Sequence, residues 1–455
     1  MNISVFIRLC VMMFLQFFIW GAWYVTAPKF LGQIGFDGED FGWTYSVGPI
    51  AGMISPFIVG MIADRFFSTE RMLAFMHLLG GGIMLAATTM MRGESPNPGT
   101  INLMFFGHML CYYPTLALTN SLAMHNMSNA EKEFPFIRVF GTIGWIVAGM
   151  VIGFSKWDTS VNMFYAAGGA AVLLGIFSIF LPHTPPPAAG KQVSAREVMG
   201  LDAFSLLAKP SFFVFIISST LICIPLAFYY QLAERTITQG GVFNPPFVMT
   251  WGQISEIVFM LLIPVFFVRL GVKWMLFVGM LAWVARYALF AIGAPDQIIW
   301  MLIGGVVLHG ICYDFFFVTG QIYTDKAAPP AIRSQAQGML VFFTLGLGMF
   351  IGAQVAGRVE KTYTPAESTA LSNEVQELNA QIATLEADAA ANADQIKALT
   401  EQKDAKAMQA LRLIKWRNIW TIPAIGAAAI LVLFTLIFRD NLGRENAQKK
   451  AAAAT

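Results

Sequence analysis

Pro135-Phe136-Ile137-Arg138-Val139-Phe140-Gly141 and Pro330-Ala331-Ile332-Arg333-Ser334-Gln335-Ala336-Gln337-Gly338 are the stretches on which the fold turns. In each, a proline stands three residues before an arginine, and a glycine follows. Each lies between the fourth and fifth of six apolar runs in its half of the chain. That shared position predicts an internal repeat of two six-helix halves.

The apolar runs lie near 6–27, 44–63, 72–91, 101–124, 136–154 and 162–182, then 211–231, 247–268, 273–293, 298–320, 336–357 and 418–438. About 20 apolar residues cross a bilayer. Backbone groups in hydrocarbon must bond within their own segment, so the runs read as helices. They are called spans 1 to 12 below. The first run is followed by further spans and reads as a retained helix, not a cleaved signal. The predicted fold is an all-α membrane protein with the twelve-helix architecture of a major facilitator transporter.

Composition agrees. Of 455 residues, 56% are apolar and 12% charged, with 40 Phe and 25 Met. Soluble domains carry about 25% charged residues. A net charge of +2 gives no footprint for nucleic acid or a polyanionic substrate. Cys10, Cys111, Cys223 and Cys312 each sit in an apolar run, far from one another, and read as small buried hydrophobes. No metal or cofactor is expected.

The expected organisation is an N-terminal bundle over 1–182, a cytoplasmic linker over 183–210, and a second bundle over 211–357 and 414–438. An extramembrane insert fills 362–413, and a cytoplasmic tail covers 439–455. With both termini inside, the inner loops carry Arg65, Arg71, Lys132, Lys191, Arg196, Lys209, Arg269, Lys273, Lys326 and Arg333. The outer loops carry Lys29, Arg92, Lys156 and Arg235. The bias favours that orientation, in the inner membrane of a bacterium. In the insert, Leu371, Val375, Leu378, Ile382 and Leu385 form a heptad stripe that Ala389, Ile396 and Leu399 continue. It reads as a helical hairpin packing on itself, with docking or self-association as the alternative.

The residues also resemble a known family. Gly60-Met61-Ile62-Ala63-Asp64-Arg65, with Arg71 beyond, resembles the gating-loop motif of the major facilitator superfamily. More specific runs resemble the bacterial nucleoside:proton symporters. They are Phe14 to Gly21, Pro135 to Gly144, Gln253-Ile254-Ser255-Glu256, Ala282 to Phe290, Tyr313-Asp314-Phe315-Phe316 and Ala331 to Met339. The resemblance implies import of nucleosides by proton symport through alternating access. It implies that Gln253 and Glu256 lie in the substrate site and that Thr142 and Tyr313 match binding positions. Trp145 matches a position that is aromatic in the family, and His309 replaces what resembles a tyrosine. Where family carriers have a Gln and an Asn on span 7, Leu226 and Tyr229 stand here, so Gln231 is the expected donor instead. Asp64, Arg65 and Arg71 are expected to gate the cytoplasmic side.

Charge inside a membrane costs about 2.5–3.5 kcal/mol per residue on insertion scales, so each case needs a reason. Arg138, Glu256, Arg286 and Asp314 are such cases. Gln253 precedes Glu256 by three residues and shares its helix face. Spans 5 and 8 are neighbours in this architecture, which makes Arg138 the expected partner of Glu256. Glu256 or Asp314 is expected to carry the proton, with Arg138 the cation whose approach changes. Arg286, on a peripheral helix, is expected to snorkel toward the outer interface. Trp20, Trp23, Trp145 and Tyr313 are candidates to stack on a base. His77 and His108 read as satisfied core histidines. Helix-packing glycines Gly346, Gly348, Gly352 and Gly357, and Gly48-Pro49 and Ser55-Pro56, suit a rocking mechanism. Other readings are a carrier of another hydroxylated solute such as a sugar, drug efflux, or a receptor whose insert binds a partner. No His-Glu-x-x-His or Ser/His pattern supports an enzyme.

Overall fold

The computed structural model describes residues 2–58, 67–93, 95–127, 130–186, 196 and 200–439. Among them, twelve helical stretches answer to the apolar runs. The first half contains Ile3–Gly21, Gly38–Ile58, Thr69–Met91, Pro98–His125, Ala130–Phe154 and Asn162–Ser178 as spans 1 to 6. The second contains Pro210–Gln239 as span 7 and the continuous run Pro245–Gly293. Ile299–Ala327, Arg333–Tyr363 and Trp416–Ile437 follow as spans 10, 11 and 12. The 49-residue run would be about 74 Å long if straight, too long for one crossing. It breaks at Gly271, whose φ of 68° suits glycine, giving spans 8 (245–270) and 9 (272–293).

Local chemistry sets several helix starts. Asn2, Asn97 and Asn244 each accept a hydrogen bond from a backbone N–H of the first turn, at Ser4, Thr100 and Phe247. Pro98 and Pro245 occupy first helical positions, where a missing N–H costs nothing. Most helices run a few residues past the apolar windows, because polar helix ends project beyond the hydrocarbon.

The packing repeats between halves. Span 1 lies on 5, span 2 on 4 and span 3 on 6; span 7 lies on 11, span 8 on 10 and span 9 on 12. Between the halves, span 2 meets 11 and span 5 meets 8, which is one pairing generated twice by the repeat. Glycine makes these approaches possible. A Cβ at Gly348 would stand 2.6 Å from the Thr220 carbonyl oxygen, and one at Gly38 would stand 2.5 Å from that of Gly357. The polarity is inverted relative to a soluble protein. Val268, Leu261 and Leu436 are exposed on the outside while Arg286, Asp314, Glu234 and Arg235 are buried.

The insert is a helical hairpin, Ala366–Leu385 against Ala393–Leu413, with Val375, Leu378 and Ile382 of the stripe buried. Ala389 falls in the turn between them. The hairpin marks one face of the bundle, called the hairpin face here; the other is the termini face. Asp64 and Arg65, residues 187–195 and 197–199 of the linker, and 440–455 lie outside the described residues. Arg71 is exposed.

A Cβ at Gly144 would overlap the Phe14 carbonyl oxygen, whereas Gly426 has open space around it. Gly144→Ala is therefore expected to lower stability by about 1–3 kcal/mol, read as a lower melting temperature in detergent, while Gly426→Ala leaves it unchanged or higher.

Candidate solute-binding site

Side chains from both halves converge on a cavity of about 130 Å³ near the middle of the bundle. Span 5 supplies Arg138, Thr142 and Trp145; span 8 supplies Gln253 and Glu256; span 10 supplies His309 and Tyr313. These seven of the expected binding residues lie together. Trp20 lines the same space, and its ring meets Trp145 edge-on at 5.4 Å. Trp23 does not: it stacks on Phe105 in the first half's core.

The electrostatics differ in detail from expectation. Arg138 and Glu256 face one cavity from opposite halves, but the Arg138 guanidinium lies over the Phe17 ring, 4.1 Å from its centroid. Glu256 instead approaches His309, Oε2 to Nε2 at 3.8 Å. A charged pair across the halves is thus held apart, with room between. Asp314 lies one residue beyond Tyr313, is fully buried, and neither of its carboxylate oxygens has a hydrogen-bond partner. It does not line the cavity.

Span 10 departs from a regular α-helix. It is interrupted at Leu308 and widens into a π-turn over Asp314–Val318. π-Turns recur at functional positions. The interruption frees backbone groups that cannot be left bare in a membrane. Ser255 Oγ donates to the Val307 carbonyl at 2.7 Å and accepts from the Gly310 N–H at 2.8 Å. Arg286 Nε donates to the Gly305 carbonyl at 2.7 Å, and a second guanidinium nitrogen reaches that of Val306 at 3.4 Å. Arg286 therefore does not snorkel. It is fully buried because the break in span 10 offers it carbonyls. Its guanidinium also covers the Tyr229 ring at 3.7 Å, and Tyr229 stacks on His309 at 5.5 Å. Gly252 and Gly310 permit the close approach: a Cβ at Gly310 would stand 2.5 Å from the Ser255 carbonyl oxygen.

Span 7 needs a further correction. Gln231 is not among the cavity residues; its amide donates to Glu360 at 3.2 Å, toward the hairpin face. Tyr230 lines the cavity instead, and Tyr229 sits behind His309. Tyr113, Phe17, Tyr24 and Pro49 also line it and carry no sequence signal that separates them from packing residues. His77 Nε2 meets the Gln16 side-chain oxygen at 2.8 Å, as expected of a satisfied core histidine; His108 Nδ1 reaches the Gly80 carbonyl at 2.9 Å, but its buried Nε2 has no partner among the described residues.

An inside-out bundle of two repeated halves, with charge facing a central cavity, defines a membrane transporter of the major facilitator type and not an enzyme. The model of the Nucleoside H+ symporter family matches residues 1–387, and the chain belongs to that family. YegT of Escherichia coli K12 is 36% identical over 447 residues, covering 95% of this chain and 94% of that protein. Nucleoside permease NupG of Escherichia coli K12 is 32% identical over 374 residues, covering 79% and 88%. A crystal structure of nucleoside transporter NupG superposes with a TM-score of 0.78 at 27% identity, over 96% of this chain and 100% of that one.

Arg286→Leu strands the Gly305 and Val306 carbonyls in the interior, at about 1–3 kcal/mol each. The expected result is a marked drop in melting temperature together with weakened uptake. An unchanged melting temperature contradicts this role.

Proposed function

We propose that the chain imports nucleosides together with protons, by rocking its two halves about the central cavity. The observation that carries this is the cavity itself, where Arg138 of one half faces Glu256, His309 and Tyr313 of the other across open space. A nucleoside has a flat base and a hydroxylated sugar. Trp20, Trp145, Tyr230 and Tyr313 offer ring faces and edges to the base. Gln253, Thr142, Glu256 and Arg138 offer donors and acceptors to the sugar and to base edges. The named relatives, nucleoside permease and xanthosine permease, support this substrate class.

The contacts between halves suggest the conformation. Among the described residues, hydrogen bonds and ion pairs across the interface concentrate at the hairpin face: Lys29 to Glu234 at 3.6 Å, and Lys361 to Asp37 and Glu39 at 3.1 and 3.0 Å. Tyr24 packs on Tyr230 in the same layer, at 5.5 Å. With the termini in the cytoplasm, as the arginine and lysine distribution favours, this is the state closed to the outside. Asp64, Arg65 and Arg71 would close the opposite side in the other state.

Protons enter through carboxylates. Glu256 faces the cavity and can exchange a proton with water there. Asp314 has no hydrogen-bond partner among the described residues, and a bound proton removes a charge that the interior does not stabilise. Arg138, free of an ion pair among the described residues, can approach Glu256 when the halves move and displace its proton. Entry of one proton down 100 mV releases about 2.3 kcal/mol, enough for roughly 50-fold accumulation.

Uptake of labelled uridine into proteoliposomes tests this. An inward proton gradient is expected to raise the initial rate at least tenfold in the native protein, and Glu256→Gln is expected to abolish the response. Purine and pyrimidine nucleosides should compete. Uptake that ignores the gradient, or coupling unchanged in both Glu256→Gln and Asp314→Asn, contradicts proton symport. Competition by sugars alone contradicts the nucleoside reading.

A further inference from the structure

A second and larger cavity, about 430 Å³, lies between the hairpin and the adjoining ends of the two halves. Span 7 connects it to the first. Tyr230 faces the central cavity, while Arg235 and Thr238, one to two turns further on, line the second. Between them stands the closed layer: Tyr24 against Tyr230, the Tyr45 hydroxyl donating to the Tyr24 carbonyl, and Lys29 held by Asp158 and Glu234. On the proposed route, a solute waiting at this layer occupies the second cavity.

Its walls define what it can hold. Lys29, Arg235 and Lys361 are matched by Asp37, Glu360 and Asp404, so the lining carries no net charge. The strongest of these charges are already paired: two Arg235 nitrogens reach the Glu360 carboxylate at 2.6 and 2.9 Å. An ionic ligand finds no unpaired counter-charge here. Side chains that can meet a neutral ligand are nevertheless present, the amides of Gln33 and Asn373 among them. Apolar surface comes from Phe36 and Phe41, and the Arg235 guanidinium covers the Phe41 ring at 4.3 Å. Hydroxyls from Ser372, Thr369 and Thr159 complete the lining.

The roof is hinged on one half only. The hairpin is continuous with spans 11 and 12, yet it touches the first half where Asn379 Nδ2 donates to the Gln33 carbonyl at 2.6 Å. Gln376 lies against Gly35 beside it, at a φ of 99°.

We infer that the hairpin-roofed cavity is a second binding site, for a neutral hydroxylated molecule bearing a flat ring, namely the transported nucleoside held before it enters the central cavity. This rests on the nucleoside reading above. The hairpin is then part of the binding apparatus and not an appendage.

Equilibrium dialysis of tritiated uridine against the purified full-length protein counts the sites. The native chain is expected to bind two molecules, and Thr142→Trp, which fills the central cavity, is expected to retain one. Met408→Trp and Ser372→Trp, which fill the second cavity from the two different hairpin helices, should each retain one. Thr142→Trp combined with Met408→Trp should bind none. One molecule per native chain, or two in both tryptophan variants, overturns the second site while leaving the central one in place. No binding by the native chain removes the nucleoside reading, and this inference with it.

Discussion

Hydrocarbon accepts neither an unpaired charge nor a bare backbone amide, and the arrangement of this bundle follows from that constraint. Arg138 and Glu256 are tolerated because they face a cavity between two halves and not lipid. Arg286 is tolerated because span 10 breaks and gives it carbonyls to hold. Ser255 serves the same break from the opposite side, accepting one N–H and donating to one carbonyl. The deformation that these two residues stabilise sets His309 and Tyr313 against the cavity. The chemistry of the site thus depends on side chains that do not line it.

The repeat explains why the cavity lies where it does. Each half supplies two helices to the interface, which pair as span 2 with 11 and span 5 with 8. These run the length of the bundle and flank the central space. Their glycines bring backbones close at the hairpin face, as between Gly38 and Gly357. Packed helices of this kind have discrete arrangements, so a shift at one end is carried to the other. On the proposed rocking movement, opening the hairpin face returns the buried Lys29, Glu234 and Asp158 cluster to water. The hairpin, tied to one half and resting on the other, would move with it.

Much of this was legible in the residues. Runs of apolar side chains define crossings without tertiary information, and the proline–arginine–glycine pattern placed the repeat. Gln253 and Glu256 were legible because a three-residue spacing on a regular helix fixes a shared face. Span 7 was not, because one residue turns a helix by about 100°; the choice between Tyr229, Tyr230 and Gln231 rests on packing against distant spans. Arg286 misled for a related reason. Snorkelling is the local solution for a peripheral arginine, and the break at Leu308 that overrides it lies on another helix. Phe17 and Tyr113 look like any aromatic in an apolar run. The second cavity needs the hairpin, both halves and span 7 together, and no one stretch announces it.

The central claim is that Thr142, Arg138 and Glu256 border a water-filled space that a nucleoside occupies. Because the four native cysteines are buried, a single Thr142→Cys side chain offers a clean probe. Its reaction rate with a charged, water-soluble methanethiosulfonate reagent measures access, and saturating uridine measures occupancy. The account predicts ready labelling that uridine slows severalfold. A thiol that does not react, or that reacts equally fast with uridine present, contradicts it.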